Sequence, residues 1–217
     1  SILGLQAWNA LRALHFLAEL PEVDKTRIGV TGSSGGGTQT ILVCALDPRP
    51  AAASPMGMVS TSMQGGCTCE NACGLRVGTG NVELTALFAP KPQGMTAAND
   101  WTKEMMTKGY PELEKLYGML GAKDKVKCWN QVHFPHNYKY VTRALMYSWF
   151  NKHLKLGHEE PIVEEDFEPL TPAEFTVWDA DHPKPASGED VEVALLKAMS
   201  DASDRQLAGM GEKERQA

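Results

Sequence analysis

Gly29-Val30-Thr31-Gly32-Ser33-Ser34-Gly35-Gly36-Gly37-Thr38-Gln39-Thr40 is the stretch on which the reading of this chain turns. Arg27 to Thr31 has the make-up of a short buried strand and Thr38 to Leu46 that of a buried helix, so glycines join strand to helix with almost nothing between. Gly32-Ser33-Ser34-Gly35-Gly36 fits G-x-S-x-G, a strained corner that lifts its central serine above a sheet edge while glycines let neighbouring backbone close in. Ser34 is then an exposed nucleophile. A phosphate cradle also uses glycines, but G-x-x-x-x-G-K-[ST] and G-x-G-x-x-G are both absent and no lysine follows the turn.

Working outward, residues 3 to 20 place Leu5, Trp8, Leu11, Leu14 and Leu17 at helical spacing before Pro21. Downstream, residues 51 to 58 read as a strand of small residues, 60 to 80 as a long irregular loop, and 81 to 88 as a short helix. A strand is expected over 90 to 99, weakened by Lys91-Pro92-Gln93-Gly94, then helices over 102 to 108 and 111 to 120. A strand over 126 to 132 and an amphipathic helix over 138 to 156 follow. Strands alternating with helices imply an α/β fold, a mostly parallel sheet covered on both faces, with its chemistry at the carboxyl ends of the strands. Ser34, Asp100 and His136 each follow an expected strand and so belong to one rim.

The chain has 217 residues and is 42% hydrophobic, enough for a sizeable core, and no apolar run nears the roughly 20 residues of a membrane span. Residues 1 to 157 carry 16 basic and 11 acidic side chains, and residues 158 to 217 carry 5 and 16. A mildly basic body of 1–157 is therefore followed by an acidic part, 158–217, which reads as a Pro-rich linker and then a helix over 191 to 210. The body's basic residues are scattered, which gives nucleic-acid binding no support. Cys67, Cys69 and Cys73 cluster in the long loop without a histidine beside them, so no metal site and no cofactor is expected, while an oxidising compartment, secreted or periplasmic, would permit a disulfide there. Cys44 and Cys128 read as small core residues.

A serine hydroxyl is a poor nucleophile until an imidazole takes its proton, and the imidazole works best when a carboxylate fixes its tautomer. Ser34, Asp100 and His136 supply these groups in the order Ser, Asp, His. Ser33 lies one position off the motif's centre, His133 lies on the strand side of its loop, and Asp124 precedes a strand instead of following one. Glu70 is the rival to Asp100, with a plain alternative as a loop carboxylate touching substrate or backbone.

The corner at 27 to 40, Met63-Gln64-Gly65-Gly66-Cys67-Thr68-Cys69-Glu70-Asn71, Asn99-Asp100-Trp101-Thr102 and Pro135-His136-Asn137-Tyr138 together resemble the α/β-hydrolase-fold carboxylesterases, most of all the acetylxylan-esterase-like group related to glucuronoyl esterases. The resemblance runs from about Trp8 to Leu156. It implies a serine esterase for small acyl esters, such as acetyl groups on carbohydrate, with Ser34 as nucleophile, Asp100 as acid, His136 as base and Gly35 supplying one oxyanion-hole amide. Glu70, Asn71, Trp101 and Tyr138 are the substrate-binding candidates it implies. In glucuronoyl esterases an arginine follows the nucleophile, and Gly35 in its place favours acetyl esters; a peptidase on the same fold is not separated by sequence. Strands expected before the nucleophile strand, and the loop that gives the second oxyanion amide, are missing from 1 to 26, so an upstream segment, a partner chain or a catalytically silent module is also expected.

Overall fold

The computed structural model describes residues 2–62, 65–71 and 74–211. Two compact units divide the chain, Ser1–Glu165 and Asp166–Ala217. In the first, α1 (Ile2–Glu19) is followed by β1 (Gly29–Ser33), α2 (Gly35–Leu46), β2 (Ala52–Met56), α3 (Asn81–Ala86), β3 (Gln93–Ala98), α4 (Gly109–Met119), β4 (Val126–Gln131) and α5 (Tyr140–Leu154). The four strands form one parallel sheet in the order of the sequence, β1-β2-β3-β4.

The burial of each strand follows from its place. All five residues of β2 and all six of β3 are buried, as the middle of a sheet covered on both faces requires, whereas β1 and β4 keep exposed positions. One core joins Ile41, Met58, Met95, Leu113, Tyr117 and Val126, and a second sets Leu14 and Ala18 of α1 against Ile28 and Val43. Inside the first, the Tyr117 hydroxyl accepts from Gln93 Nε2 at 2.7 Å and donates to the Lys91 carbonyl at 2.7 Å, so a fully buried phenol and amide are satisfied together. Cys44 and Cys128 are free and buried, and burial pushes both thiols up to about 12.

Three expectations are corrected. α2 begins at Gly35 instead of Thr38, with Thr38 N–H already bonded to the Ser34 carbonyl at 2.9 Å: the first amides of a helix need no partner four residues back, so glycines fit its first turn. β3 begins at Gln93, past Pro90 and Pro92. The helix expected over 102 to 108 is a run of turns, with Lys103, Met105 and Thr107 each donating to the carbonyl three residues back. The described residues of the loop between β2 and α3 include a 3-10 turn, Thr68–Glu70, and Cys67 is disulfide-bonded. Met63, Gln64, Ala72 and Cys73 lie outside the described residues.

After α5, Lys155 at φ 54 ends the helix and the chain doubles back along it. Glu160 accepts from Ser148 and Asn151, and Glu164 accepts from Arg143 Nε, Arg143 Nη2 and the Tyr147 hydroxyl, each at 2.5 Å. The second unit contains α6 (Pro172–Phe175), capped by Thr171 and Glu174, and α7 (Glu189–Gly209), whose first turn carries Glu189, Asp190 and Glu192 where the helix dipole favours negative charge. No helix among the described residues is long and apolar enough to cross a membrane.

Candidate active site

β1 ends at Ser33 and α2 begins at Gly35, so Ser34 alone makes the corner, at φ 56 and ψ −123. That left-handed backbone is strained for any residue with a Cβ. It is held because the corner is too tight to relax: a Cβ at Gly32 would lie 2.4 Å from the backbone carbon and oxygen of Gly36. The Ser34 amide donates to the Met56 carbonyl at 3.3 Å, tying the corner to the end of β2.

Asp100 and His136 leave the carboxyl ends of β3 and β4, and the Asn99 amide donates to the Phe134 carbonyl at 2.9 Å, which holds the two loops together. The Nδ1 of His136 is 2.7 Å from Asp100 Oδ2. The Asp100 side chain is 5% exposed and its other oxygen accepts from the Thr102 amide at 2.7 Å and the Thr102 hydroxyl at 2.5 Å, so the carboxylate cannot turn away from the imidazole. With Nδ1 engaged, Nε2 is the ring nitrogen left to exchange a proton. Trp101 lies against the imidazole, ring centres 4.5 Å apart, and its buried indole N–H has no partner among the described residues. The residue just after β2 also comes close to the ring: a Cβ at Gly57 would sit 3.2 Å from His136 Cε1.

The Ser34 hydroxyl does not bond to His136; it donates to Glu70 Oε1 at 2.9 Å. Glu70 is 3% exposed, and its Oε2 accepts from the amides of Gly66 at 2.6 Å and Cys67 at 3.3 Å. Asn71 turns its side-chain amide to the carbonyls of Gly65 and Cys67, and so braces this loop. The Tyr138 hydroxyl pairs with the Thr31 hydroxyl at 2.6 Å, Thr31 in turn donating to the Ser54 carbonyl, and burial raises the phenol above its ordinary range. Gly35 is the first residue of α2, where backbone amides are free of helical partners.

The candidates therefore fall into two bonded pairs, His136 with Asp100 and Ser34 with Glu70, with the tilted ring of Trp101 against the first and Asn71 bonded within the loop of the second. Thr102, which pins Asp100, was passed over in the sequence; the signal was the Asp-x-Thr spacing of a turn in which a carboxylate caps the amide two residues on. A cleft of about 260 Å³ opens beside the imidazole, lined by Phe134, Pro135, His136, Asn137, Lys139, Tyr140 and Val141. Among the described residues no group of three or more His, Cys, Asp or Glu is disposed to hold a metal ion.

Comparison with known proteins bears on the fold. The acetyl xylan esterase (AXE1) family model matches residues 8–58, from α1 through the Ser34 corner to just past β2. Among solved structures, the methylesterase BT1017 is 36% identical over 70% of this chain, with a TM-score of 0.66. The fold is that of the α/β-hydrolases. Two glucuronoyl esterases share this hydrolase fold more distantly. One, of carbohydrate esterase family 15 from Caldicellulosiruptor kristjansonii, is 20% identical over 81% of this chain at a TM-score of 0.58. The other, the catalytic domain from Hypocrea jecorina, is 19% identical over 82% at 0.53. The hydrolase-fold chain spans 35% of the length of the methylesterase, and 56% and 58% of the two glucuronoyl esterases.

Proposed function

We propose that this chain carries the catalytic groups of a serine carboxylesterase acting on small esters of carbohydrate. The observation that carries the reading is the 2.7 Å contact between His136 Nδ1 and the immobilised Asp100, at the same sheet edge as a serine held in a strained strand-to-helix corner. In the proposed reaction Ser34 Oγ attacks the ester carbonyl as His136 Nε2 takes its proton, and Asp100 steadies the imidazolium. The Gly35 amide donates to the oxyanion; His136 then protonates the departing alcohol, and water, activated by the same imidazole, releases the acid. Serine and imidazole contacts are often long before substrate binds, so the Ser34 bond to Glu70 is compatible with this sequence. The second oxyanion donor is assigned to a segment or a partner chain outside this one, in keeping with the 35% and 56% of those relatives' lengths that the chain spans.

Acetyl esters are the first expectation, supported by the family model over residues 8–58 and by Gly35 after the nucleophile. The 36% identity to a methylesterase supports a second reading, in which the acid belongs to the carbohydrate and methanol leaves. Hydrolysis of p-nitrophenyl acetate, lost in Ser34→Ala, tests the serine chemistry; equal turnover in the variant removes Ser34 as nucleophile, and no turnover in either leaves a silent module. Acetate or methanol released from acetylated and methyl-esterified polysaccharide separates the two readings.

A further inference from the structure

Glu70 remains unused by that mechanism, although it makes the side-chain hydrogen bond to the proposed nucleophile. The loop around it is built to hold it there. One carboxylate oxygen is gripped from behind by the Gly66 and Cys67 amides, and Asn71 ties that loop together through the Gly65 and Cys67 carbonyls. Gly65 packs so closely that a Cβ there would lie 2.2 Å from Glu70 Cβ and 2.5 Å from Oε2. The other oxygen faces Ser34 Oγ at 2.9 Å. Three donors among the described residues, Ser34 Oγ and the amides of Gly66 and Cys67, hold the carboxyl group, and at 3% exposure a charge there is poorly screened by water.

Resting on the serine-esterase reading above, we infer that Glu70 determines specificity: it fixes a negative charge at the nucleophile and excludes esters whose acyl group carries a negative charge of its own. An acyl carbonyl reaching Ser34 Oγ brings its substituents within a few ångströms of Glu70, where like charges in a partly dry site repel by several kT. The same charge drives out an acid product once its carboxylate has formed. Both follow from placement alone and need no proton on Glu70.

The experiment compares p-nitrophenyl valerate with mono-p-nitrophenyl glutarate, acyl chains of equal length that differ by one terminal carboxylate, each corrected for spontaneous hydrolysis. Their kcat/KM values are measured on the full chain with Glu70, with Glu70→Gln and with Glu70→Ala. The ratio within one protein cancels any difference in folded fraction. The native chain should prefer the valerate by about tenfold or more at low salt, and Glu70→Gln should bring the ratio within about twofold of unity. A ratio unchanged in Glu70→Gln and Glu70→Ala overturns the inference while leaving the esterase reading intact. Should neither ester be hydrolysed and Ser34 fail to react with a neutral fluorophosphonate, as read by mass, the esterase reading falls and this inference with it.

Discussion

His136 Nδ1 stands 2.7 Å from Asp100 Oδ2, and the second oxygen of that carboxylate accepts two hydrogen bonds from Thr102. Asp100→Asn keeps the shape but offers the imidazole either an N–H or a weaker acceptor, and so loses control of the tautomer. A fall in kcat of on the order of 10²- to 10⁴-fold is expected, with KM little changed. Thr102→Val removes one of the two bonds that aim the carboxylate and should cost much less. Steady-state kinetics on p-nitrophenyl acetate check both, and a Thr102→Val loss as large as that of Asp100→Asn would show that aiming, not charge, dominates.

The two motif glycines should behave oppositely. A Cβ at Gly32 has backbone 2.4 Å away, whereas one at Gly36 meets nothing within 4 Å. Gly32→Ala is expected to lose about 3 kcal/mol or to prevent folding, since backbone cannot swing aside as a side chain can. Gly36→Ala lies in the first turn of α2 and should gain about 0.5 to 1 kcal/mol by narrowing the unfolded ensemble. Urea unfolding of the two variants tests the pair, and equal effects would contradict the tight approach at Gly32.

Tyr117→Phe isolates the buried polar pair of the core. Gln93 would keep its bond to the Thr85 carbonyl but lose its acceptor at 2.7 Å, and the Lys91 carbonyl would lose its donor. A loss of about 1 to 3 kcal/mol is expected in chemical denaturation, because the shape is kept and only the hydrogen bonds go.

The segment folded back on α5 should loosen in acid. Bonds from Arg143, and then from Tyr147, hold the Glu164 carboxyl down to about 2 from an ordinary 4.5. A lowered folded value means that the contribution is complete above pH 4.5 and is lost as the pH falls through about 2. The thermal midpoint of the native protein should therefore exceed that of Glu164→Gln at pH 7, and the gap should close as the pH approaches 2. A gap that persists at pH 2 would assign the difference to packing instead of charge.

The Ser34 corner was legible because its motif, strand and helix are contiguous, and the alternation of elements gave the parallel sheet in the same way. Asp100 and His136 could be placed at one edge because topology alone brings strand ends together. The bond between Ser34 and Glu70 could not be read, although Glu70 had been weighed as an acid. It depends on an aperiodic loop folding back through its own amides at Gly66 and Cys67, which no spacing announces. Thr102 to Lys108 misled for a related reason: Thr102 spends its amide and hydroxyl on Asp100, so helical composition gives way to turns. Glu164 on Arg143 was hidden because charge runs look solvated until a specific guanidinium faces one of their members.

Thr31 and Tyr138 join the outermost strand to the segment just after His136. On one side of that strand runs a groove of about 320 Å³ between α1 and α2, reaching Thr31 itself. The imidazole is thus mechanically in series with the edge of the sheet. Whatever comes to lie along β1 therefore meets, at Thr31, a hydroxyl bonded to Tyr138, two residues along the chain from the imidazole of the proposed base, so the sheet edge and the proposed site share one hydrogen bond.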